Sequence, residues 1–112
     1  YFTKFGDGAC DITPMANLYK TEVRQMARLI GVPEPIIAKP PSAGLWEGQT
    51  DESEMGIKYE DLDGILYDLE QDRSDSQIAA DTGLPISEIV RIRTQVQSME
   101  HKRLPAIRPS AF

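Results

Sequence analysis

The side chains able to do chemistry fall into four stretches. The longest is Lys39-Pro40-Pro41-Ser42-Ala43-Gly44-Leu45-Trp46-Glu47-Gly48-Gln49-Thr50-Asp51-Glu52, which joins a lysine and the only tryptophan to a dense set of hydroxyl, amide and carboxylate groups. Its prolines and glycines oppose a regular helix or strand, so it reads as a long loop. Loops of this length in compact domains are usually lids, binding loops or linkers. Ordering one costs about 1–2 kcal/mol of backbone entropy per residue, so a ligand, a partner or good packing must hold it.

The second stretch is the glycine-rich turn Lys4-Phe5-Gly6-Asp7-Gly8-Ala9-Cys10-Asp11, which suits either close approach of a ligand or a plain reverse turn. Third comes Lys20, in the first turn of an expected helix. The helix dipole disfavours a cation there, so this lysine either points to solvent or serves a nearby anion. The fourth is Met99 to Pro109, with the only histidine inside the basic run His101-Lys102-Arg103. A histidine beside two cations is a poor metal ligand but a suitable donor to phosphate, ribose or carboxylate oxygens. One histidine and one cysteine cannot build a nucleophile–base array, and no glycine loop followed by a lysine is present. No residue is therefore singled out as catalytic or metal-binding. The acidic residues Glu60, Asp61, Asp63, Asp68 and Glu70 lack coordination spacing and read as the solvated face of a helix.

These stretches need elements to hold them. The chain has 112 residues, 40% hydrophobic and 27% charged, which is the composition of one globular domain. A net charge of -6 opposes non-specific attraction to nucleic acid or an anionic membrane, so any phosphate must meet a local basic cluster. A single cysteine, Cys10, excludes an internal disulfide and fits a reducing compartment. No stretch is long and apolar enough to span a membrane, and the first residues lack the pattern of a secretory signal. A start on Tyr1-Phe2-Thr3 without methionine reads as entry into the middle of a fold.

Helical periodicity predicts a first helix over Leu18 to Ile30, capped by Asn17 and stopped by Gly31, with Leu18, Val23, Met26, Ala27 and Ile30 on its apolar face. A single helical turn is expected over Pro33 to Ala38, and a second long helix over Tyr59 to Asp72. Ser74 and Gln77 form a capping box for a short helix ending at Thr82. Gly83 breaks it, and a further helix runs from Ser87 toward Arg103. Residues 74–103 thus have a helix-turn-helix outline. As a DNA reader it would present Ser87, Glu88, Arg91 and Arg93. Its acids and bases nearly balance, which removes most of the phosphate-backbone attraction and favours a structural helical pair.

Four motifs in order carry a resemblance: Phe2-Thr3-Lys4-Phe5-Gly6-Asp7-Gly8 with Asp11, Pro14 to Lys20, Lys39 to Glu52, and Glu100-His101-Lys102-Arg103 with Pro105. Through them the chain, residues 1–112, resembles the C-terminal half of ammonia-dependent NAD synthetases. The resemblance is weakest across Gln71 to Gln97. It implies an α/β parent fold, Rossmann-like and of the adenine nucleotide alpha-hydrolase type, of which this chain is a mainly helical C-terminal portion. It also implies a ligase in which ATP and magnesium adenylate the nicotinate carboxylate of deamido-NAD, after which ammonia displaces AMP.

On matching positions the resemblance assigns Lys20 and Ser42 to ATP, and Lys4, Asp11, His101 and Lys102 to deamido-NAD. It makes residues 39–55 an active-site lid, and the parent a cytoplasmic homodimer. Departures are equally informative. The family's serine-glycine-glycine pyrophosphate loop is missing, as is the magnesium-binding glutamate expected just before Tyr1, so this chain alone is not expected to catalyse. Ala9 stands where glycine is usual, and Lys58 where a small capping residue is common. The competing readings are a helix-turn-helix nucleic-acid-binding module and a non-catalytic structural fragment.

Overall fold

A computed structural model describes residues 10–104 of the chain; Lys4, the glycine turn before Cys10, Pro105 and Pro109 lie outside the described residues. Among the described residues there are six α-helices and a terminal 3₁₀ turn, with no β-strand, in keeping with a helical portion of a larger fold. The helices are α1 (Lys20–Leu29), α2 (Glu34–Ile37), α3 (Asp51–Met55), α4 (Tyr59–Glu70), α5 (Asp75–Thr82) and α6 (Ile86–Ser98), followed by the 3₁₀ turn Glu100–Lys102.

Helix α1 begins later than Asn17 would place it. Turns closed by Ala16 N–H to the Thr13 carbonyl (3.1 Å) and Leu18 N–H to the Met15 carbonyl (3.1 Å) occupy that segment. Tyr19 becomes the N-cap, its own N–H satisfied by the Glu22 carboxylate at 2.8 Å. The segment expected to be loop through residue 55 also gains a helix. Thr50 Oγ1 accepts the Ser53 N–H at 3.2 Å, and this cap starts α3 where the run Asp51-Glu52 complements the helix N-terminus. Ser74 Oγ accepts from Gln77 N–H as the capping box predicts, and Gly83 closes α5 with φ at 72°, a left-handed value that disfavours any other residue. Helix α6 starts at Ile86 behind Pro85 instead of at Ser87, because proline pre-sets the entry dihedral.

The core is built from α4, α5, α6 and the turn before α4. Ile57, Ile65, Ile78, Ile89 and Ile92 pack together in it, flanked by Leu62, Leu69, Leu84 and Val96. Helix α1 contributes no buried residue and leans chiefly on α4 and α2. Its Met26, Leu29 and Ile30 remain exposed.

The solvated acidic face expected for α4 is only partly so: Asp63 and Asp68 are each 7% exposed. The Asp63 carboxylate accepts the Thr21 N–H at 2.8 Å, filling one of the donor positions that the first turn of α1 leaves open. Asp68 pairs with Arg73 at 3.4 Å. Thr21 is far from α4 in sequence, so periodicity alone put Asp63 outside; Arg73 directly follows the expected helix, but its fold-back onto Asp68 is not part of a helical pattern.

Candidate functional site

Lys20, Arg24, Lys39 and Ser42, drawn from α1 and from the arm after α2, line one groove of 360 Å³. Val23 and Ile37 form apolar wall between them. Lys20 Nζ lies 5.8 Å from the centre of the Tyr59 ring, within reach of cation–π attraction. Arg24 pairs with Glu60 at 2.8 Å. Ser42 Oγ accepts the Gly44 N–H at 3.0 Å, an arrangement that leaves its own hydrogen able to donate. An acidic chain thus concentrates cations and a hydroxyl donor around one concavity, the arrangement an oxyanion such as a phosphate needs. Tyr19, next to Lys20, is half-buried; burial first, and then the Glu70 carboxylate, push its phenol above the ordinary range, so it stays neutral.

The loop beyond Ser42 has an internal frame. The Asp51 N–H donates to the Pro41 carbonyl at 2.8 Å and closes the neck. Inside, Gln49 is only 4% exposed and its Oε1 accepts the Leu45 N–H at 2.8 Å. Leu45 and Trp46 are left at the tip, more than half exposed. The loop therefore owes its shape to its own hydrogen bonds.

The remaining expected residues are not brought to this groove. Asp11 is exposed in the coil ahead of α1, and Lys4 lies outside the described residues. His101 and Lys102 sit on the 3₁₀ turn, which packs on α6, whereas α1 packs on α4 and α2. His101 Nδ1 is 3.0 Å from the Ser98 carbonyl. A carbonyl can only accept, so Nδ1 carries the hydrogen and Nε2 is the acceptor of the neutral ring. Among the described residues no group of three or more histidine, cysteine, aspartate or glutamate side chains could hold a metal ion.

Sequence reasoning placed Lys39 in a chemically loaded loop but assigned neither it nor Arg24 nor Tyr59 to a ligand. The spacing of Lys20 and Arg24 places both on one helix face and was a legible signal. Lys39 reaches the groove through the turn that packs α2 and the arm after it on α1, and Tyr59, outside the lining, reaches Lys20 through the packing of α1 on α4. The helix-turn-helix outline is also clearer in three dimensions. Arg91 is held by Glu88 and by the Met55 carbonyl at 3.2 Å, and Arg93 by Asp75 at 2.7 Å and the Arg73 carbonyl at 3.0 Å. Arg91, chiefly by hydrogen bonding, holds the Glu88 carboxyl below the usual range. The arginines that would face phosphate in a DNA reader are engaged in tying helices together.

A family model described as NAD synthase matches residues 1–106. The NH(3)-dependent NAD(+) synthetase of Sulfolobus acidocaldarius is 53% identical over 106 residues, covering 94% of this chain and 38% of that protein. The enzyme of the same description from Pyrococcus horikoshii is 54% identical over 113 residues, covering 98% of this chain and 43% of that protein. A solved structure of NMN synthetase from Francisella tularensis is 40% identical with a TM-score of 0.64, and the match covers 99% of this chain and 41% of that one. The chain therefore spans 38% to 43% of the length of these curated relatives.

Proposed function

The chain belongs to the NAD synthase family, and from that premise we propose that it is the C-terminal part of an ammonia-dependent NAD synthetase. The reaction is amidation of deamido-NAD: its nicotinate carboxylate attacks the α-phosphorus of ATP and expels diphosphate. Ammonia then adds to the acyl-adenylate carbon, loses a proton and expels AMP to leave NAD. The observation that carries this reading is the meeting of Lys20 and Ser42 in one groove with Lys39 and Arg24. Within the proposal Lys20 and Lys39 offset negative charge on the ATP phosphates, and Ser42 donates its hydroxyl hydrogen to a phosphate oxygen. Lys4, Asp11, His101 and Lys102 serve deamido-NAD. His101 can receive a hydroxyl hydrogen at Nε2 because Ser98 holds the other nitrogen.

Residues 39–55 act as a lid whose stiff arm is Lys39 to Ser42 and whose tip, Leu45 and Trp46, excludes water from the acyl-adenylate. A cytoplasmic homodimer completes the proposed setting. A second reading follows from the 40% identity to the NMN synthetase structure: the amidated substrate is then a mononucleotide.

The test is reassembly of this chain with the N-terminal portion of the Pyrococcus horikoshii relative, supplied with ATP, magnesium, ammonium and either deamido-NAD or nicotinate mononucleotide. NAD from the first substrate, and none from either portion alone, is the expected outcome; NMN from the second supports the mononucleotide reading. Lys20→Ala and Ser42→Ala should each lower ATP use, the serine change by about 1.5–3 kcal/mol as for a hydrogen bond to a charged group. A reassembled protein that neither binds ATP nor amidates either substrate refutes the reading.

A further inference from the structure

We propose that Tyr59 is a positioning residue that sets the distance between the two polar sides of the groove, Lys20 and the Ser42 loop. Its functional consequence rests on reading that groove as the ATP-phosphate site; its structural part does not.

Lys20 is the first residue of α1, where the exposed N–H groups make the surroundings unfavourable for a cation. The face of the Tyr59 ring, 5.8 Å from Lys20 Nζ, offers it a compensating negative quadrupole. The ring is itself anchored to the end of the loop. The Tyr59 N–H donates to Glu52 Oε1 at 3.2 Å, and the Tyr59 hydroxyl donates to Asp51 Oδ2 at 3.3 Å. Asp51 is also the residue whose N–H closes the loop neck on the Pro41 carbonyl, next to Ser42. Tyr59 therefore touches Lys20 through its ring and the Ser42 arm through Asp51. One turn along α4, Asp63 accepts the Thr21 N–H, so the same face of α4 fixes the backbone that carries Lys20. Two groups far apart in sequence share a single aromatic anchor, and a change in either is felt by the other.

The experiment follows the ε-methylene resonances of isotope-labelled lysine in the whole chain and in Tyr59→Phe and Tyr59→Leu variants, with ATP affinity and amide exchange measured alongside. Lys20 in the wild-type chain should resonate upfield under the ring current. Tyr59→Phe should keep that shift and speed exchange at the Asp51 amide several-fold, because only the hydroxyl bond is lost. Tyr59→Leu should abolish the shift and weaken ATP about three- to tenfold, the range of a partly exposed cation–π contact. In a Lys20→Ala background Tyr59→Leu should have no further effect on ATP, since positioning of an absent lysine cannot matter.

An equal loss of affinity in the two backgrounds, or a Lys20 resonance that ignores Tyr59→Leu, overturns the proposal. If that variant does not fold, a wild-type Lys20 resonance without an upfield shift is sufficient to overturn it, and its presence together with faster Asp51 exchange in Tyr59→Phe supports it. Failure of the wild-type chain to bind ATP counts against the ATP-site reading, while the resonance and exchange measurements still decide the role of Tyr59.

Discussion

Replacing Asp63 with alanine removes the acceptor for the Thr21 N–H and a negative charge from the start of α1. The carboxylate is 7% exposed and the bond is 2.8 Å, so water replaces it poorly. A hydrogen bond to a charged group contributes about 1.5–3 kcal/mol, and the interaction with the helix terminus about 0.3–1 kcal/mol. Because the two overlap, the expected loss is about 2–3 kcal/mol. Helix α1 places no residue in the core, so this loss should appear as local opening of α1 and not as a weaker α4–α6 unit. Amide hydrogen exchange reads that difference directly: amides of residues 23–29 should exchange about 30- to 150-fold faster, the rate equivalent of that free energy. Amides in the Ile65, Ile78 and Ile89 neighbourhood should keep wild-type rates. Asp63→Asn retains a carbonyl oxygen and loses only the charge, so about two- to fivefold faster exchange is expected in the same residues. If both variants exchange alike, or if α1 and the core accelerate together, the assignment of Asp63 as a specific anchor for α1 is wrong.

Two glycines should respond oppositely to alanine. Gly64→Ala should raise stability by about 0.5–1 kcal/mol in urea unfolding, because a methyl group there meets only Thr82 Cγ2 at 3.9 Å in ordinary contact. Gly83→Ala should lower it by about 1–2 kcal/mol, since φ there is 72°; a shared sign would contradict the packing described. Glu88→Gln tests the ion pair with Arg91: its lowered folded-state pKa gives stability that is present above the unfolded carboxylate range and lost as pH falls through the lower folded value. The variant should therefore be less stable by about 0.3–1 kcal/mol at neutral pH, a range already reduced for solvent screening, with the difference closing below about pH 4; a difference independent of pH would show that the charge is not the cause. Trp46→Ala in the reassembled enzyme should leave ATP binding intact while raising AMP released per NAD formed, and an unchanged ratio would remove the lid from the mechanism.

The local chemistry of each segment was determined by sequence. Ser74 with Gln77, Gly83 with its turn, and the isoleucine and leucine stripes of α4 and α6 depend on residues within one or two helical turns of each other, so their spacing is enough to read. Lys20 and Ser42 were legible as well, through motifs whose residues are contiguous. Tertiary structure decided what those residues face. Asn17 lost the cap of α1 because the preceding turns used its segment, and Asp63 and Asp68 left the solvated face because α1 and Arg73 supplied partners. The groove itself exists only where α1 and the arm after α2 converge, with the Tyr59 ring of α4 against Lys20. A side chain's exposure, and so its charge interactions, depends in part on neighbours distant in the chain, as Thr21 is from Asp63 and Tyr59 from Lys20. Periodicity records which face a residue occupies on its own helix; it holds no record of which other segment will cover that face.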